Sequence, residues 1–301
     1  MKRGSIAVAA LAAALAWSGC GRNSAPVARL SVEPGQPTLA WPEYRQLEVE
    51  IVPTAELPQD LGKPTLFLHL LDEPGSVQRT FDQPLPGPWR PGEPIHYSAR
   101  IYQSALSEPL APGSYLLSMG LYVPGEGRFP LETNGRQVSK AEYQVATVRV
   151  PPVAANGSQA RFSENWMPPE AGSDRQILVR RLLRADAPGK IQFGPLQGPG
   201  SILLGVALPV PMAGGARVEL AAGASQPRLR VASSCGGEQA EVSGGGHFDV
   251  ELPVAATASP AVCELTLEPN FRVISNGSPV ATSVVLDMLA WKPGPVDGAT
   301  D

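Results

Sequence analysis

The sequence predicts an all-β protein built as two β-sandwich domains, and three observations carry that prediction. Apolar residues recur at every second position in short runs, which places the apolar side chains of each run on one face of a strand. The 33 prolines and 31 glycines are spread between those runs, and such even punctuation suits turns between short strands and argues against long helices. A chain of 301 residues, even without its apolar leader, is long enough for two domains of ordinary size.

Taken in order, the chain opens with Lys2 and Arg3, an unbroken apolar run from Ile6 to Trp17, and then Ser18-Gly19-Cys20. A bilayer-spanning helix takes about 20 apolar residues, so this shorter run has the three-part form of an export signal. We assign residues 1–19 to a signal peptide, and residues 20–37, with no apolar period at their start, to a tether. The ending Ser18-Gly19-Cys20 resembles the lipobox of bacterial lipoproteins, whose leader is removed before a cysteine that carries acyl chains such as palmitate. That resemblance implies lipidation at Cys20 and attachment to a membrane through the N-terminal lipid. Because Gly21, and not Asp, follows the cysteine, it also implies delivery to the outer membrane of a Gram-negative envelope. An ordinary secretory cut after Ala14-Leu15-Ala16 fits the same residues.

The first sandwich is placed over residues 38–150. Its apolar sets are Leu47, Val49 and Ile51, then Leu66, Leu68 and Leu70, then Tyr115, Leu117, Met119 and Leu121. Between them stand the turn signals Glu73-Pro74-Gly75, Arg90-Pro91-Gly92 and Ala111-Pro112-Gly113, with glycine supplying backbone angles that other residues resist. The words Leu66 to Asp72, Trp89-Arg90-Pro91-Gly92-Glu93, and Pro112-Gly113-Ser114-Tyr115 leading into Gly120-Leu121-Tyr122 resemble an extracytoplasmic immunoglobulin-like module. Such modules sit on the tails of prokaryotic membrane glycosyltransferases and in secreted or lipid-anchored proteins. The resemblance covers about residues 47–150 and implies a fold without a catalytic residue set. His69, between Leu68 and Leu70 but on the opposite face, is expected to be half-buried and hydrogen-bonded. Asp72 and Asp82 flank a hairpin without the dense ligand spacing of a calcium loop.

Paired prolines and small polar residues mark residues 151–159 as a linker. Both Asn156-Gly157-Ser158 and Asn276-Gly277-Ser278 read as turns. The second sandwich, residues 160–293, has strand candidates at Ile202–Leu208, Arg217–Leu220, Leu229–Ala232, Phe248–Leu252, Cys263–Leu267 and Val284–Trp291. That number of strands fits a jelly-roll-like sandwich, followed by a tail over 294–301. Its opening Glu164 to Glu170 and closing Asp287 to Trp291 are similar to those of carbohydrate-binding-like modules. Residues 175–186 read as strand, with a short helix presenting Ile177, Leu178, Leu182 and Leu183 as the alternative.

With Cys20 assigned to lipid, Cys235 and Cys263 remain as an even pair in an exported chain, which predicts a disulfide. Closing that loop stabilises a domain by about 3 to 4 kcal/mol in the chain-entropy model. Two buried free thiols are the alternative.

Chemistry is sparse. There is no phosphate loop, dinucleotide fingerprint, nucleophile elbow, zinc-protease helix or cysteine cluster, so we expect no enzyme, no cofactor and no metal. His69, His96 and His247 stand apart in sequence. Asp249 and Glu251 share a strand face at a spacing common on the solvent side of sheets. Arg175, Arg180, Arg181 and Arg184, offset by Asp174 and Asp186, read as a solvated face. A net charge of −4 gives no basic field for nucleic acid.

The expectation is a non-catalytic, lipid-anchored cell-envelope protein that acts as a binding or scaffolding component for an envelope protein. The alternative is a glycan-binding surface lipoprotein, with Trp89, Tyr122, Trp166 and Trp291 as candidate contacts. A hydrolase is the third reading.

Overall fold

The computed structural model describes residues 25–33, 35–57, 63–171, 179–185, 187–210, 216–256, 259–275 and 280–294. The leader, Cys20, Asp174, Arg175 and Asp186 lie outside them. Within them the chain is all β, arranged as four sheets. None of their segments is a helix long and apolar enough to cross a membrane.

Two sheets draw only on residues 28–150. The smaller runs Ile95–Tyr102, Tyr44–Pro53, Ala28–Glu33 and Leu131–Glu132 from edge to edge. The larger has Gln137–Ser139, Glu142–Val150, Gly113–Val123, Thr65–Leu71 and Val77–Thr80 in that order. Their inner faces share one core, in which Leu47, Val49 and Ile51 meet Leu66, Leu68, Leu70, Leu117, Met119 and Leu121. The alternating sets read from the sequence are therefore the buried faces, which is the sandwich arrangement.

Residues Ala28–Glu33, which composition places in the tether, form a strand paired antiparallel with Tyr44–Pro53. The reason is a short alternation: Ala28 and Leu30 point into the core and Val32 packs against it, whereas Arg29 and Ser31 point out. Flanking prolines and glycines hide that period in a composition window.

The other two sheets draw on residues 159–293. One orders Gln159–Phe162, Gly189–Leu196, Ala261–Pro269, Arg228–Ser233 and Gln239–Ser243. The other orders Glu170–Ala171, Val179–Arg184, Thr282–Pro293, Gly200–Leu208 and Gly246–Val254, with the pair Ala216–Leu220 and Phe271–Ser275 appended. All six strand candidates of this region are strands, and Val179–Arg184 is a strand as read. Cys235 and Cys263 form a disulfide with Cα atoms 5.4 Å apart. It joins Ala261–Pro269 to a cysteine two residues beyond the neighbouring strand Arg228–Ser233, whose last residue pairs with Leu265.

The Thr282–Pro293 strand carries a bulge. Gly205 pairs with Met288 while Val206 pairs with Leu286, so Asp287 is the extra residue. The core set accordingly changes parity, from Val284 and Leu286 to Leu289 and Trp291. A bulge re-aims the side chains that follow it, and here it turns Met288 and Ala290 toward the first sandwich.

Candidate functional site

The two sandwiches meet on their outer faces. Tyr44 and Tyr102, from the smaller first sheet, close on Leu203, Met288 and Ala290 of the second. A polar ring surrounds this small apolar centre. Tyr44 donates its hydroxyl to Glu251 Oε1 at 3.1 Å, Lys292 Nζ lies 3.8 Å from the same oxygen, and Arg100 pairs with Asp249. Burial first, and then the Glu251 carboxylate, push the Tyr44 hydroxyl far above its ordinary value, so it stays a neutral donor.

Backbone bonds extend the seam. Ala105 N donates to Leu289 O at 2.7 Å and Trp291 N donates to Pro42 O at 2.8 Å. Leu289 N donates to Ser104 Oγ at 3.1 Å. The loop that begins at Gln103 thereby carries Leu106 into the second core. Gln103 itself is held by Leu39 O, at 3.0 Å, and by Leu110 N, at 2.8 Å.

Beside the seam, His247 reaches across Gly205 to Asp287, with Nε2 2.9 Å from Oδ2. The bulge aims the Asp287 carboxylate outward, and Gly205 leaves the room. A Cβ at Gly205 would collide with Asp287 Oδ1 and stand 2.9 Å from Met288 Cβ. The hydrogen bond to Asp287 holds the His247 imidazole above its ordinary value of 6.5, against burial, which lowers it.

The first sandwich holds a second polar cluster on the outer face of its larger sheet. Glu142 accepts from Ser118 Oγ at 2.7 Å and Arg128 Nη1 at 2.7 Å, and lies 2.9 Å from His69 Nδ1. Burial raises its carboxyl, but these three partners outweigh burial and hold it below 4.5. Arg128 also covers the Phe67 ring at 4.3 Å, a cation–π contact. Ser118 gives its proton to the carboxylate oxygen that His69 also engages. This geometry holds the Glu142 charge among three side-chain partners.

The residues singled out from sequence are scattered. Trp166 and Trp291 are 5% and 4% exposed and belong to the second core; Trp291 also lines the cleft beside Trp41. Trp89 borders the first core and donates Nε1 to Ala55 O at 2.9 Å. Tyr122 lies half-buried, 6.3 Å from the Phe67 ring. Asp249 and Glu251 serve the seam. Asp72 is committed to its own turn, accepting from Ser76 N and Gln78 Nε2, both at 2.7 Å. Arg180 pairs with Glu170 at 3.3 Å, Arg181 lies 4.2 Å over Phe162, and His96 is exposed opposite Glu50. Among the described residues no cluster of three or more His, Cys, Asp or Glu side chains is placed to hold a metal.

Sequence reasoning passed over Trp41. It lines a cleft of about 680 Å³ at one end of the seam, with Glu43, Pro152, Val153, Gln197 and Trp291. Its Nε1 lies 3.3 Å from Ser104 O and from Ser107 O, which fixes the ring. An aromatic residue directly before a proline and outside any alternating run was the available signal.

No protein-family model matches the chain, and no curated protein does. Among solved structures, a chain from a chaperone–tip adhesin complex of CFA/I fimbriae biogenesis is 10% identical, over 88% of this chain and 84% of that one. Its TM-score is 0.21, a likeness too slight to bear on fold or function.

Proposed function

We propose that this chain is a non-catalytic, lipid-anchored cell-envelope protein that acts as a binding or scaffolding component. In this reading the first sandwich is immunoglobulin-like and the second jelly-roll-like. The observation that carries it is the Cys235–Cys263 disulfide. Structural disulfides persist in oxidising compartments outside the cytosol, and this one leaves Cys20 as the remaining cysteine of the sequence. Several acyl chains there, at about 0.8 kcal/mol per buried methylene, give the lasting attachment that one chain does not.

The non-catalytic part has its own support. His69, Glu142, His247 and Asp287 are each tied into pairs that hold the sheets or border the seam, and Asp249 and Glu251 join the two sandwiches. The seam itself suits a scaffold, because a partner would meet two sandwiches held in one orientation.

Intact-mass measurement of the native product tests the anchor. The expected mass is that of a chain beginning at Cys20 plus acyl groups, recovered from the outer membrane. An unmodified Cys20, or a product found in a reducing compartment, sinks the proposal. Mild crosslinking in intact membranes is expected to trap a discrete envelope partner.

A further inference from the structure

We propose that a groove running from Trp41 to Val262 binds a neutral oligosaccharide. The cleft at the seam and a second depression of about 340 Å³ share Asn156, Gly157 and Pro195, so they form one continuous groove. Both volumes fall in the range of about 300 to 1,000 Å³ typical of ligand sites. The second depression lies on the outer face of the five-stranded sheet, where Arg161, Gln192 and Val262 come from three adjacent strands. The groove therefore crosses the strands.

Four side-chain amides line it: Asn156, Gln159, Gln192 and Gln197. None of the four hydrogen-bonds another group among the described residues. Some amides elsewhere are used internally, as Asn165 is by Pro188 O at 3.1 Å and Asn270 by Gln226 O at 3.2 Å; others, such as Gln46 and Gln239, are solvated singly, whereas these four line one groove. Each free amide offers both donors and an acceptor, which is the complement of a ring of hydroxyls. The apolar component is also present. The Trp41 ring is fixed and half-buried, while Val153 and Val262, at 42% and 59% exposure, are two of three large hydrophobics exposed among the described residues. Fixed aromatic and branched side chains beside unspent amides suit the C–H faces and hydroxyl edges of a sugar.

Charge selects the class of glycan. The lining carries one acid, Glu43, and one base, Arg161, and Glu43 is already paired with Arg45 at 2.6 Å. A polyanion or an anionic headgroup requires a cluster of basic groups. An added peptide strand pairs along a sheet edge, whereas this groove lies across a sheet face.

The inference rests on the reading of the chain as a binding component and not on its anchor, so titration tests it separately from intact mass. The full mature chain is titrated calorimetrically with chitotetraose, cellotetraose and maltotetraose up to about 10 mM, a span that detects dissociation constants near 1 mM. A proline-rich decapeptide and a polyuronate serve as further probes. At least one neutral glycan is expected to bind. Trp41→Ala is expected to weaken it about tenfold or more and Gln192→Ala about threefold to tenfold, matching one lost stacking or hydrogen-bonding contact. Trp89→Ala leaves it unchanged. Gln192 is exposed, so its variant is expected to melt like the parent even if Trp41→Ala disturbs the Ser104–Ser107 turn. Absence of binding to all three glycans overturns the proposal. So does binding indifferent to Gln192→Ala, or binding of the peptide or polyuronate in place of the glycans.

Discussion

His69–Glu142 in the first sandwich and His247–Asp287 in the second are alike in plan. Each sets a buried carboxylate against a histidine on the outer face of a sheet, close to a glycine whose Cβ would collide with a neighbour. They differ in how completely the carboxylate is satisfied. Glu142 has three side-chain partners, and its histidine side chain is 14% exposed. Asp287 has His247 alone among the described residues, and that histidine is 50% exposed. The first cluster fastens a sheet face, whereas the second is a single contact open to solvent at the rim of the seam. The sandwiches differ too in covalent support, since the described disulfide lies in the second.

The largest test removes that support. Cys235→Ser opens a link spanning 28 residues and is expected to cost about 3 to 4 kcal/mol. The loss should appear as earlier unfolding of the second sandwich, followed by the near-ultraviolet signal of its tryptophans. An equal fall in both sandwiches would show that the seam transmits the loss.

Next in size is Glu142→Gln, which sets an amide group against donors and is expected to cost about 3 kcal/mol, as for breaking a buried pair. Gly120→Ala follows, at about 2 kcal/mol, because its Cβ would strike the Phe67 ring and the Ala141 carbonyl. Asp287→Asn keeps an acceptor for a half-exposed histidine and is expected to cost about 1 kcal/mol. Denaturant midpoints of the three variants rank them. A loss from Asp287→Asn as large as that from Glu142→Gln would erase the distinction between the clusters.

The smallest effect is the pH response, which has opposite signs in the two sandwiches. The Glu142 carboxyl is depressed when folded, so its contribution is present above 4.5 and is lost as pH falls through its lower folded value. The His247 imidazole is raised when folded, so its contribution is present below 6.5 and is lost as pH rises through its higher folded value. Melting temperature across the two ranges reads both. His247→Gln should flatten the upper one and leave the acid limb intact.

Much of the fold was legible because alternation is a local property. The set Leu66, Leu68 and Leu70 needs no knowledge of its partner strand to declare a face, and neither does Leu117 with Met119 and Leu121. The cysteine pair was legible by parity of count. The seam was harder to see, because its residues lie on faces that alternation assigns to solvent. Tyr44 shares a face with Gln46 and Glu48, and Met288 follows a bulge that reverses the phase. A weak signal did exist: Ile202 to Leu208 and Val284 to Trp291 are apolar on both faces, the mark of a strand covered on both sides. The groove left still less trace. Its amides come from two strands, the linker and a turn, and what distinguishes them is that they line one groove, which only the assembled sheet can reveal.

Leu106 belongs by sequence to the first sandwich and by packing to the second core. Synthesis proceeds from the amino end, so this plug leaves the ribosome before any strand of its socket. The later sandwich must close around a peg made before it. A fragment starting at Gln159 would keep an open hole, and a fragment ending at Val150 would bare a leucine. Dissecting the molecule at its linker should therefore yield two sticky pieces, and any engineered transplant of the later half should carry the Gln103–Ser107 turn along with it.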